Sequence, residues 1–172
     1  FRRRGQRVDW CLVGEPSSQA VLGDLIRVGR RGSLHGHLTV RGIQGHVAYP
    51  EIALNPIHAA AAALAELVEI RWDEGDAAFP PTSFQISNIH AGTGASNIIP
   101  GQLKVSFNFR YGTASAADGL RERVESVLRR HGVDFEMHWD LSGEPFLTVA
   151  GALRKAVNET IEAQFGITPV AS

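Results

Sequence analysis

From Ser33 onward the chain alternates. Leu34, Gly36, Leu38 and Val40 fall on one side of an extended backbone, and His35, His37, Thr39 and Arg41 on the other. A period of two predicts a half-buried strand. Asn55-Pro56 then supplies an N-cap followed by a first-turn proline. Ile57, Ala60, Ala61, Leu64, Leu67 and Val68 recur at helical spacing and predict one apolar helix face. Ala59, Ala62, Ala63 and Ala65 fill the other faces, which fits close approach by a second helix or filler on a surface helix. Residues 75–81 read as a loop. A strand over 82–90 sets Phe84 and Ile86 against Ser83, Gln85 and Ser87, and a glycine-rich loop over 92–97 follows. Leu103, Val105, Phe107 and Phe109 alternate with Lys104, Ser106, Asn108 and Arg110, the cleanest strand pattern in the chain. Ser115 and Asp118 predict a capping box ahead of Leu120, Val124, Val127 and Leu128. That helix closes on Arg129-Arg130-His131-Gly132, positive charge and then glycine at the negative end of the dipole. Val133, Phe135, Met137 and Trp139 alternate with charged residues in a fourth strand.

Residues 33–140 thus read β-α-β-β-α-β. This order predicts an α+β, ferredoxin-like unit, a four-stranded antiparallel sheet with both helices on one face. The flanks do not belong to it. Residues 8–13, an apolar run ending at Gly14-Glu15-Pro16, predict a buried strand with a carboxylate at its tip. A short apolar run over 24–29 follows, and a last helix over about 150–165 ends at Gly166. The expected division is 1–28 and 144–172 as pieces of a second domain, with 29–143 inserted between them. The opening at Phe1 with Arg2-Arg3-Arg4, and the close at Thr168-Pro169-Val170-Ala171-Ser172, suggest a fragment of a longer protein.

Composition narrows the function classes. The 172 residues carry 44% hydrophobic positions, enough for a core. A net charge of −1, from 17 basic and 18 acidic residues, argues against nucleic acid or a membrane surface as partner. A ferredoxin-like RNA binder is further disfavoured because the sheet shows no exposed aromatic platform. No apolar run is long enough to span a bilayer. The single Cys11 excludes an internal disulfide framework and fits a cytoplasmic protein.

Candidate chemistry centres on Gly42-Ile43-Gln44-Gly45-His46-Val47-Ala48-Tyr49-Pro50. A histidine between glycines and a proline, at the end of a strand, sits where reactive groups are often mounted, although a solvated loop histidine has the same appearance. His35 and His37, two residues apart on the polar strand face, read as a solvated face or as half of a metal site. Glu15 at a strand end suits a metal ligand, an acid–base group or a helix cap. Arg30 at the start of the first strand, Arg110 at the end of the third, and Asn97 near one end of the sheet would clamp an anionic small molecule, unless they are ordinary surface charge. There is no GxSxG, Walker, HExxH or CxxC motif.

Several strings taken in order carry a resemblance. They are Val13-Gly14-Glu15-Pro16-Ser17-Ser18, Gly29-Arg30-Arg31-Gly32-Ser33, the stretch from Gly42 to Pro50, Asn55-Pro56-Ile57-His58, Phe84-Gln85-Ile86-Ser87-Asn88-Ile89-His90-Ala91-Gly92-Thr93-Gly94, Asn97-Ile98-Ile99-Pro100 and Phe107-Asn108-Phe109-Arg110-Tyr111. Together they resemble the di-zinc, aminoacylase/carboxypeptidase-G2-like metallopeptidase family along essentially the whole chain. The resemblance implies a lid and dimerisation domain flanked by pieces of an α/β catalytic domain. It implies a cytoplasmic homodimer that hydrolyses a linear amide, here N-succinyl-LL-2,6-diaminopimelate to succinate and LL-2,6-diaminopimelate in lysine biosynthesis. An acetylornithine deacetylase, an aminoacylase and a stand-alone dimerisation module are the alternatives. By the same resemblance Glu15 is a zinc ligand, and His46 reaches into the partner's active site to stabilise the oxyanion. Arg30, Tyr49, Asn97 and Arg110 contact the substrate, and Ser96 stands where relatives carry a second asparagine. Two zinc ions per subunit are implied for the full-length enzyme, with cobalt able to replace them. By the resemblance, no position of this chain matches the family's metal-site His-x-Asp, bridging Asp, Glu-Glu pair or C-terminal His. The expectation is therefore a chain that binds no zinc and has no activity by itself.

Overall fold

The computed structural model describes Gly5 and residues 7–172, so the Arg2-Arg3-Arg4 run lies outside the described residues. The chain forms two compact units, Arg30–Phe146 and a second made of Phe1–Gly29 with Leu147–Ser172.

In the larger unit the elements run β1 (Gly32–Arg41), α1 (Pro56–Glu69), β2 (Ser83–Ala91), β3 (Gln102–Tyr111), α2 (Ala117–Arg130) and β4 (Phe135–Gly143). The sheet order is β2-β3-β1-β4, antiparallel throughout. This is the ferredoxin-like arrangement that the alternation predicts. Leu34, Leu38, Val40, Phe107 and Phe109 face α1 and α2 and bury against Ala60, Ala63, Leu67, Leu120, Val124 and Leu128. Each large apolar side chain so buried contributes about 1.5–3 kcal/mol.

Gly36 lies in the middle of this core, opposite Phe107 on one neighbouring strand and Trp139 on the other. It leaves the space that the Phe107 ring occupies, since a Cβ on Gly36 would meet Phe107 Cζ at 2.2 Å. That ring is hemmed in by Phe84 at 4.9 Å and Trp139 at 5.5 Å between centroids. Gly36→Ala is therefore expected to cost about 1–3 kcal/mol by overpacking. A lower urea midpoint at unchanged m-value checks it.

Four local expectations are corrected. The buried stripe of α1 is Pro56, Ala60, Ala63 and Leu67, while Ile57, Ala61 and Val68 are exposed and Leu64 is half-buried. The helix is turned so that its small residues meet the sheet and α2. The capping box of α2 does not form: Ala116 is the N-cap, with no side-chain bond. Ser115 instead donates its hydroxyl to the carboxylate of Asp73, whereas a capping serine would accept from the N–H groups of the first turn. β4 begins at Phe135 rather than 133, because the N–H of Val133 bonds back to Leu128 O (3.1 Å) around Gly132, which has a positive φ of 68°. Finally, residues 8–13 form no strand and are exposed, with Leu12 74% accessible. An apolar run becomes a strand only when neighbours take its backbone groups, and among the described residues no segment pairs with it.

In the smaller unit, Leu25–Ile26 pairs in parallel with Val170–Ala171. Helix α3 (Ala152–Phe165) starts two residues later than expected and ends, as the sequence predicts, at Gly166 in the left-handed region. The carboxylate of Asp24 accepts from the N–H groups of Val21, Ala20 and Gln19, which hold it below the usual carboxylate range.

Candidate functional site

His46 is not the tip of β1. It sits in a separate short strand, Gly45–His46, that pairs antiparallel with Ile98–Ile99. Three pieces of backbone meet here. Gly42 N–H donates to Gly101 O (2.9 Å), Val47 N–H to Asn97 O (3.0 Å), and Ile43 and Leu54 exchange both of their backbone bonds (2.9 and 3.0 Å). Residues 43–54 are thus a closed loop tied to the segment that enters β3. The glycines of the motif are explained by close approach rather than by unusual backbone angles. A Cβ on Gly42 would lie 2.5 Å from Leu54 O, and one on Gly45 would lie 2.7 Å from Ala53 Cβ.

Within this loop the imidazole is exposed but oriented. The N–H of Ala48 donates to His46 Nδ1 (3.1 Å), and the Tyr49 ring lies 5.9 Å from the imidazole, tilted by 53°. In the neutral ring Nδ1 is then the acceptor, and the ring proton is assigned to Nε2, which points away from that bond. His46 accordingly presents one N–H donor outward. A recess of about 310 Å³ lined by Gln44, Gly92, Thr93, Pro100, Gly101 and Gln102 lies beside the loop.

Asn97 is brought to His46 through its carbonyl, and Tyr49 through the turn that follows, whose N–H bonds to His46 O (3.0 Å). Both are exposed, as is Ser96. The arginines are elsewhere. Arg110 pairs in register with Ser33 at the start of β1 and with Ser83 on β2. Arg30 precedes β1 by two residues at the same end, its guanidinium over Gly143 on β4, where a Cβ would meet Nη2 at 2.4 Å. The expectation of Asn97 and both arginines at one end of the sheet is corrected. Because β3 runs antiparallel to β1, the loop before β3 lies at the far end of β1 from Arg110. Along these ten-residue strands the two ends are about 30 Å apart.

Glu15 is exposed, in an irregular stretch of the smaller unit. Among the described residues no group of three His, Cys, Asp or Glu side chains is placed to hold a metal ion. A single carboxylate cannot hold two zinc ions, so the donors present do not make the zinc site that the resemblance implies, and no chemistry is derived through it. His35 contacts Ser33 Oγ (3.3 Å), and His37 contacts Ser106 Oγ (3.3 Å) and stacks on His138 with centroids 6.2 Å apart.

The buttress behind His46, Ala53 and Leu54, was not evident from the sequence. Its signal is the pair of glycines themselves, which mark places where another backbone comes close.

Residues 28–136 match the peptidase dimerisation domain family. Over 169 residues the chain is 62% identical to the succinyl-diaminopimelate desuccinylase of Alkalilimnicola ehrlichii, covering 98% of this chain and 45% of that protein. With the succinyl-diaminopimelate desuccinylase of Halorhodospira halophila it shares 63% over 166 residues, 96% of this chain and 44% of that one. The chain spans less than half the length of these curated relatives. Among solved structures, the M20 family metallo-carboxypeptidase of Sulfolobus solfataricus matches with a TM-score of 0.71 at 14% identity, covering 86% of this chain and 52% of that chain. An aminopeptidase of Bacillus cereus matches with a TM-score of 0.69 at 17% identity, over 90% of this chain and 41% of that chain. These two likenesses are of fold. With the matched residues making up more than half of the sequence, and the sheet and helices arranged as described, the chain belongs to the peptidase dimerisation domain family.

Proposed function

We propose that this chain is the lid and dimerisation region, with catalytic-domain flanks at 1–28 and 144–172, of a cytoplasmic, zinc-dependent amidohydrolase. Its substrate is N-succinyl-LL-2,6-diaminopimelate, cleaved to succinate and LL-2,6-diaminopimelate. The observation that carries the reading is the Ala48 N–H on His46 Nδ1, which leaves Nε2–H as an outward donor. Such a donor stabilises the negative oxygen that forms when an amide carbonyl is attacked. In this reading Glu15 contributes one metal ligand to a site whose other ligands the full-length enzyme supplies.

The separation of the two residue groups supports a dimer. Arg30 and Arg110 at one end of β1 and His46, Tyr49 and Asn97 at the other are too far apart to hold one small substrate together. In a two-fold dimer, one protomer's His46 end serves the site of its partner, while Arg30 and Arg110 bind substrate carboxylates at their own. The exposed stripe of Ile57, Ala61 and Val68 on α1 and the open edge of β2, with Ile89 55% accessible, offer apolar and hydrogen-bonding surface for that contact.

Direct assay of the full-length enzyme tests the substrate. Release of succinate from N-succinyl-LL-2,6-diaminopimelate, at a kcat/KM well above that for N-acetylornithine, is the expected result. The reverse preference would reassign the enzyme to a related deacylase.

A further inference from the structure

We propose that Ala53 is a positioning residue for His46, acting through Gly45; the inference rests on the catalytic reading of His46 given above. After His46 the chain turns through a short 3₁₀ segment, Pro50–Ile52, and returns so that Ala53 lies directly behind Gly45. Ala53 N–H is bonded to Pro50 O (3.2 Å), and Leu54 is bonded both ways to Ile43, so the returning strand cannot retreat without breaking backbone bonds. Ala53 continues through Asn55, whose side chain caps Ile57 N–H (3.0 Å), directly into α1. The buttress is therefore anchored to a helix whose inner face lies in the core. The fit is tight: the Cβ of Ala53 would stand 2.7 Å from a Cβ on Gly45, whereas carbon atoms in contact need about 3.5–4.0 Å. Any side chain at 45 must push the Gly45–His46 strand off its buttress by about an ångström. His46 is the next residue, and its bond from Ala48 closes within two residues. The displacement therefore falls on the ring's direction and on the bond that holds its tautomer.

The chemistry asks for this precision, because a misplacement of about 1 Å costs on the order of a hundredfold in rate. The arrangement also links the two tasks of the domain. The helix whose exposed outer stripe is proposed above to meet a partner copy begins three residues after Ala53.

A swap of the two side chains tests it. In Gly45→Ala the histidine ¹⁵N resonances of the 172-residue chain should show His46 losing its acceptor-type Nδ1 signature. In the full-length enzyme kcat should fall ten- to a hundredfold, with KM changed less than about threefold. In the double variant Gly45→Ala/Ala53→Gly the methyl group has only changed sides of the same gap. The Nδ1 signature should return, and kcat should recover to within about threefold of wild type. Unchanged nitrogen shifts in Gly45→Ala, or a double variant that restores neither readout, would overturn the positioning role. Shifts that move and return while kcat stays constant would support the positioning of His46 and remove its catalytic assignment.

Discussion

Replacing His46 with alanine in the full-length enzyme is expected to lower kcat by about 10²–10³-fold while leaving KM, metal content and melting temperature close to wild type. Each part of that expectation has a separate cause. The imidazole is exposed and lies outside the hydrophobic core, so its loss opens no cavity and orphans only one weakly held N–H, that of Ala48. A donor aimed at charge that develops during the reaction acts mainly on the transition state, so kcat falls and substrate affinity does not. Metal content is the discriminating readout. A parallel loss of metal and turnover would make His46 a ligand, and unchanged turnover would leave it a surface group. His46→Gln, which keeps an N–H donor on a flexible chain, should recover part of the lost rate.

The second large effect lies at Asp73, in the connector between α1 and β2. One carboxylate oxygen accepts from the N–H groups of Gly75 (2.9 Å) and Thr82 (2.8 Å), and the other from the hydroxyls of Thr82 and Ser115. Thr82 is buried, so removing the acceptor strands donors with little access to water. Asp73→Ala is expected to lose about 2–3 kcal/mol, read as a drop in the denaturation midpoint. Partial burial pushes the Asp73 carboxyl up, but the hydroxyl donors Ser115 and Thr82 and the N–H groups of Thr82 and Gly75 outweigh it and bring the pKa down to about 2. The folded pKa is thus depressed relative to the ordinary 3.8. Its contribution is complete above about pH 4 and disappears as the pH falls toward 2. Stability measured between pH 7 and 2 should therefore drop across that window. In Asp73→Asn the drop should be shallower, though not absent, because Asp24 and Asp76 are depressed by similar hydrogen bonds. A slope unchanged by Asp73→Asn would contradict this assignment.

The fold was legible wherever pattern and packing coincide. β1 and β3 alternate without interruption because one face meets two helices and the other does not. That regularity carries the sheet and, with the two helical stretches, its topology. The helix face of α1 was less legible, because alanine on every side removes the amphipathic contrast that would orient it. The cap of α2 misled because Ser115 answers to a carboxylate 42 residues away, which no local pattern records. The run over 8–13 misled in another way: its composition is that of a strand, but strand formation depends on neighbours. Around the candidate site, the motif marked His46, Tyr49 and the two glycines. What it left out was tertiary: the strand pairing that brings Asn97 alongside, the Ala53 buttress, and the antiparallel register that sends Arg110 to the opposite end of the sheet.

That register makes one proposal directly testable, namely that His46 serves the active site of the partner protomer. The direct measurement is complementation between two inactive full-length variants, His46→Ala and Glu15→Ala, mixed after reversible dissociation. If His46 acts across the dimer, each mixed dimer holds one site with both residues intact. An equimolar mixture should then recover about a quarter of wild-type turnover, since half of the randomly formed dimers are mixed and each has one working site. If His46 acts on its own protomer, neither site of a mixed dimer is whole, and a mixture as inactive as its parents would contradict the account.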